Sequence, residues 1–233
     1  MMYSIAKTYG NRILIMMAVA GIGAVISEIC SDSLFLWSFG IQNDIYTIAA
    51  AIIEIIKWNL CVVPPILLCY SMFNMECSKL YLYTVLRYSS VKRWWKQRSM
   101  FILLLCSGYS LLLMLIHRIA TVGETIEYRE YLIGAVLFTL HIAMLGYCMV
   151  LCMTSNYGAS STVLTYLAIE IGMVILGIRN TYLKVFLPPY WGMMRYVCTG
   201  ENKYLKACIA TMLSIVTCFM INVRIQKQCN GDI

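Results

Sequence analysis

The side chains that could do chemistry in this 233-residue chain lie inside apolar runs. Glu170 falls in the middle of residues 162–178, Glu54 and Lys57 are three apart within 45–73, and His141 and Cys148 are seven apart within 131–154. An isolated charge is costly in such surroundings, so each must be protonated, paired or open to a wet cavity. Glu54, Lys57, His141 and Glu170 are therefore candidates to line or gate a polar path. For Glu54, Lys57 and Glu170 the alternative is that they pair with one another or with backbone and only hold helices together. Glu54 and Lys57 share one helical face, and Lys57 lies about 24 Å along a helix from Phe73. His141 and Cys148 also share a face, as a buried cysteine peptidase would need. Two helical turns nevertheless separate them by about 10 Å, too far for a direct hydrogen bond within one straight helix. No His-Glu-x-x-His or Gly-x-Ser-x-Gly motif occurs.

The elements that must position these residues follow from composition. Hydrophobic residues make up 61% of the chain and charged residues 12%, with a mean hydropathy of +0.76. Water-soluble folds are far more polar. A hydrocarbon layer of roughly 30 Å is crossed by about 20 helical residues, and six segments meet or approach that length. They are residues 13–29, 45–73, 100–116, 131–154, 162–178 and 205–223. Backbone groups in lipid must bond internally, so each is expected to be a helix, giving an all-α, multi-pass membrane domain over residues 1–233. Lys7 and Arg12 before the first run look like a signal peptide, but no small-residue cleavage site follows, so that run is kept as a span.

Charge sets the expected orientation. The net charge of +7 reports topology and not a nucleic-acid partner, because Lys79, Arg87, Lys92, Arg93, Lys96 and Arg98 crowd one connection between two apolar runs. Such a loop belongs in the cytoplasm, and six spans then leave both termini cytoplasmic in a plasma-membrane protein. The outer segment at 179–206, which holds a separate element at about 179–204, runs against this rule, with Arg179, Lys184, Arg195, Lys203 and Lys206 against Glu201. It also carries Leu187-Pro188-Pro189-Tyr190-Trp191, too short to span. Two readings stay open for it: an interfacial or re-entrant element, or an ordinary aromatic loop. Most of the eleven cysteines sit in apolar runs as small buried side chains, with no metal-site spacing; a Cys30–Cys198 disulfide on the outer face is a minor alternative.

The connection at residues 74–99 has the most internal order. Glu76 opens it, Leu82, Val85 and Leu86 form a small apolar ridge, Arg87-Tyr88-Ser89-Ser90 follows, and Lys92, Arg93, Trp94 and Trp95 lead into the third span. The two tryptophans are expected to anchor that span at the membrane interface. By itself this is a topogenic loop with an aromatic belt. In order, however, it resembles the first cytoplasmic loop of ABC-2-type transporter permeases, in which a Glu opens the loop and an Arg-x-Ser-basic element precedes the third span. The six-span layout, the long second helix and the Pro-aromatic element before the last span are similar too, and the chain looks most like small permeases of bacterial peptide, bacteriocin or lantibiotic export and self-immunity.

That resemblance implies a type V exporter-like fold in which Glu76, Lys79, Leu82, Leu86, Arg87, Ser89, Lys92 and Arg93 couple the chain to an ATPase subunit. It implies a second permease copy or a homologous permease, and cargo of the amphipathic peptide or hydrophobic drug class. No Gly-x-x-x-x-Gly-Lys-Ser/Thr loop is present, so ATP and magnesium would be bound by the partner subunit, with no cofactor and no catalysis in this chain. The other classes considered are an ion-coupled carrier using Glu170, a substrate-binding membrane component of another transporter, and an intramembrane cysteine peptidase.

Overall fold

A computed structural model describes residues 48–78, 90–120, 128–154, 159–197 and 202–231. Every element among them is helical: α1 (Ile48–Ser78), α2 (Val91–Ala120), α3 (Tyr128–Thr154), α4 (Ala159–Arg179), a 3-10 helix (Thr181–Phe186), α5 (Pro188–Gly192), α6 (Met194–Val197) and α7 (Lys203–Gly231). Four of the expected spans, and all of 45–73 but its first three residues, fall in described residues, and each is a long helix. Three stretches, Lys92–Ile116 of α2, Tyr128–Met153 of α3 and Lys203–Lys227 of α7, are long and apolar enough to cross a membrane. The expected span at 13–29 lies outside the described residues.

Helix α3 is the centre of the bundle. It is apolar on all sides, and 67% of its apolar stretch is buried against α1, α2, α4, α5 and α7. A helix with no polar face has to be surrounded. The outer helices instead leave apolar side chains uncovered, including Leu104, Leu111 and Leu115 of α2 and Met212, Val216 and Phe219 of α7. Long rows of this kind are expensive in water and suit a lipid or protein neighbour.

Polar contacts fix how the helices register. Trp95 Nε1 of α2 donates to Asn222 Oδ1 of α7 at 2.8 Å, and Tyr147 Oη of α3 donates to the Ser99 carbonyl of α2 at 3.1 Å. At the opposite end Lys203 Nζ meets Glu130 Oε1 at 2.7 Å. The start of α2 thus shares one end of the bundle with the ends of α1, α3 and α7, the antiparallel order that consecutive spans require.

One such bond repairs a break in α1. Pro64 and Pro65 lie inside this helix, and Pro65 has no N–H to give the carbonyl four residues earlier. That carbonyl belongs to Cys61, and the buried Tyr109 hydroxyl of α2 donates to it at 2.7 Å. The Tyr109 hydroxyl thus supplies, from the neighbouring helix, the donor that Pro65 lacks. Tyr109→Phe should therefore destabilise the bundle by about 1–3 kcal/mol, the cost of an unsatisfied buried group. Thermal or chemical unfolding in detergent measures this, and a change below about 0.5 kcal/mol would refute the repair role.

The third span corrects one expectation. Trp94 and Trp95 do not face outward as interfacial anchors; both are fully buried. Trp94 meets Phe73 edge-on at 6.4 Å and Trp95 meets Tyr147 at 5.8 Å. The reason is that α2 starts nine residues before the expected 100–116, at Val91. Ser90 Oγ accepts the Arg93 N–H at 3.2 Å, a side-chain cap on the first turn, so the tryptophans fall on the inner face of an existing helix. Arg98 is buried on the same helix, whereas Lys92, Arg93 and Lys96 are exposed.

Candidate functional site

Three helices bring one polar group each to the same level of the bundle. His141 is thirteen residues from either end of α3, Glu170 is eleven residues into α4, and Trp58 is ten residues into α1. At about 1.5 Å per residue these depths are all within a turn or two of mid-length. His141 Nε2 lies 3.0 Å from Glu170 Oε1, and Trp58 Nε1 donates to the same oxygen at 3.4 Å. The Trp58 ring is tilted against the imidazole at 5.7 Å and edge-on to Phe138 at 5.8 Å. Trp58 is fully buried, and His141 and Glu170 are each 1% exposed.

The cluster is incompletely satisfied. His141 Nδ1 and Glu170 Oε2 are buried and find no hydrogen-bond partner among the described residues. Buried polar atoms are normally bonded, and those that are not tend to mark function or a bound water. With the Trp58 indole donating to Oε1, the arrangement suits an ionised carboxylate that also accepts from Nε2–H.

The segment 181–197 closes over this cluster. Asn180 starts it, its side chain accepting the Tyr182 N–H at 3.1 Å, and Pro188 occupies the first turn of α5, where its missing N–H costs nothing. Trp191 Nε1 donates to the Val185 carbonyl at 2.8 Å and ties the segment to itself. Tyr190 Oη donates to the Val174 carbonyl of α4 at 2.8 Å, and Pro189 to Gly192 are buried. Burial pushes the pKa of the Tyr190 hydroxyl up, with Tyr196 adding to the effect, so this group remains a neutral donor. Lys184 is buried as well, its ammonium 5.4 Å from the centre of the Tyr190 ring.

Two glycines permit the close approach. A Cβ on Gly177 would collide with the Tyr190 ring, and a Cβ on Gly192 would lie 2.7 Å from His141 Cβ and 2.8 Å from its Cγ. Contact with His141 puts Gly192 at the mid-length of α3, about 20 Å from either helix end. The segment therefore folds back deep along the bundle, unlike a surface loop. Irregular backbone at that depth is tolerable because protein encloses it.

The other expected site residues fall as follows. Glu54 and Lys57 lie in the first half of α1 and Glu76 in its last turn, and their side chains are outside what is described. Lys79, Leu82, Leu86, Arg87 and Ser89 lie outside the described residues, as do Cys30 and Cys198. Cys148 is half-buried on α3, a free thiol, while the imidazole of His141 is taken by Glu170. The roles of Trp58, Tyr190 and Gly192 went unread in the sequence, as did the pairing of His141 with Glu170. No family model, no curated protein and no solved structure matches this chain.

Proposed function

We propose that the chain is the membrane-spanning permease subunit of an ATP-driven ABC exporter. A separate subunit hydrolyses ATP, a second permease completes the pathway, and the cargo is an amphipathic peptide or hydrophobic drug. Six spans with cytoplasmic termini in the cell membrane are part of this reading. One observation supports it above others: the start of α2 is a rigid, cationic end. Ser90 caps it, Lys92, Arg93 and Lys96 stand exposed, and the interleaved Trp94 and Trp95 are locked into the core. A push delivered to such a turn moves a whole helix, because the buried rings cannot slip independently.

The test is to purify the tagged protein in mild detergent, identify the ATPase bound to it, and measure substrate-stimulated hydrolysis in the reconstituted complex. Glu76→Ala and Arg87→Glu are expected to lower that stimulation at least about tenfold, equivalent to ~1.4 kcal/mol of coupling, without loss of membrane insertion. Normal stimulation in both variants would reduce the loop to a topological signal. An ion-coupled carrier is the second reading, favoured by the buried His141–Glu170 pair half-way along the bundle. Transport that persists without ATP but follows a pH gradient would select it.

A further inference from the structure

The pair at the centre of the bundle has a protonation problem that its surroundings define. An ionised Glu170 beside a neutral imidazole leaves one negative charge in a site sealed from water. His141 is the cation-forming side chain bonded to Glu170 among the described residues. The other groups around it are polar or weakly acidic: Trp58 on α1, Cys148 on α3, Tyr166 on α4 and Tyr190 on α5, with the Lys184 ammonium turned to the Tyr190 ring. One further proton makes the site neutral overall. His141 Nδ1 and Glu170 Oε2 are the positions open to it, since neither atom has a partner among the described residues. A buried unit of net zero charge is far less costly than one carrying an uncompensated anion.

The segment folded over the pair bears on the same proton. Gly192 rests on the Cβ, Cγ and Cδ2 edge of the imidazole with no room for a side chain between them. The imidazole has little room to shift toward α5. Nor can a proton reach a ring that is 1% exposed unless some part of the enclosure opens.

We propose that His141 and Glu170 together form a binding site for one proton, and that its occupancy is linked to the seating of α5 on His141. The step is a simple uptake by the pair: a proton from water forms an N–H bond at His141 Nδ1 or an O–H bond at Glu170 Oε2, the Nε2–H···Oε1 contact is kept, and the charge of the site rises from −1 to zero. It holds whether ATP or an ion gradient moves the cargo.

Trp58 is a built-in reporter, because a protonated imidazole against its ring, or loss of charge on the carboxylate to which its N–H donates, changes indole emission. The experiment is a pH titration of intrinsic fluorescence in lipid nanodiscs, with the curve for Trp58→Phe subtracted from the curve for the unaltered protein. A one-proton transition is expected in that difference. It should be lost when the same subtraction is made in Glu170→Gln and His141→Gln backgrounds, and its midpoint should shift in Gly192→Ala. A group with a merely structural role would not move a pH midpoint. The unaltered protein against Trp58→Phe already decides the first half of the proposal. Absence of any Trp58-dependent transition, over the pH range in which near-ultraviolet circular dichroism stays native, would overturn it. So would a transition that survives in both glutamine variants. An unshifted midpoint in Gly192→Ala would overturn the link to α5.

Discussion

His141→Leu is expected to cost the fold about 3–5 kcal/mol, because a buried carboxylate loses its imidazole donor and stands uncompensated. The carboxylate of Glu170 would be left at the centre of the bundle with only the Trp58 indole, at 3.4 Å, to stabilise it. Glu170→Leu should cost less, about 1–3 kcal/mol, because the imidazole left behind can stay neutral and the penalty is one of unsatisfied hydrogen bonds. The double variant should lose less than the sum of the two, since apolar groups of similar volume replace the whole pair. Chemical unfolding in detergent, followed by near-ultraviolet circular dichroism, measures all three. Equal losses for the two single variants, adding up in the double, would contradict the pairing.

Gly177→Ala and Gly192→Ala should each destabilise the seating of the folded-back segment by about 1–3 kcal/mol, the usual cost of overfilling a packed interior. They act differently. At Gly177 the new methyl meets the far edge of the Tyr190 ring, so it displaces that ring and breaks its bond to the Val174 carbonyl. At Gly192 it meets His141 Cβ and Cγ, atoms too close to the α3 backbone to swing away. Truncating Tyr190 to alanine should therefore relieve Gly177→Ala in part and do nothing for Gly192→Ala. Double-variant cycles in the same unfolding assay separate the two cases. Full additivity of Gly177→Ala with Tyr190→Ala would mean that the ring does not occupy the space above the glycine.

The helices were legible because the apolar runs are long and nothing else satisfies backbone groups in lipid. Residues 131–154, 162–178 and 205–223 are recovered as α3, α4 and α7, with ends shifted by three residues or fewer except that α7 runs eight residues further, to Gly231. The start of α2 was misread because Lys92, Arg93 and Lys96 look like loop residues; a serine cap and two buried tryptophans make that turn helical. Hydropathy gives depth but not rotation about the helix axis. Glu170 could therefore be placed at mid-span while its partner could not be chosen. The pattern at 181–197 was ambiguous for a similar reason. Two prolines and two aromatics fit a surface loop or a buried wedge equally well, and rotation about the axes of α3 and α4 sets which of their faces α5 meets at Gly177 and His141.

Thiol labelling of intact cells tests the membrane architecture on which the functional account depends. Tyr182, 87% exposed just beyond α4, and Lys92, exposed at the start of α2, lie toward opposite ends of the bundle. Each is replaced by cysteine and compared with the unaltered protein for extra reaction with an impermeant maleimide. The account predicts added labelling of Tyr182→Cys in intact cells and of Lys92→Cys only after permeabilisation. Labelling of Lys92→Cys from outside, or equal access to both positions, would contradict it.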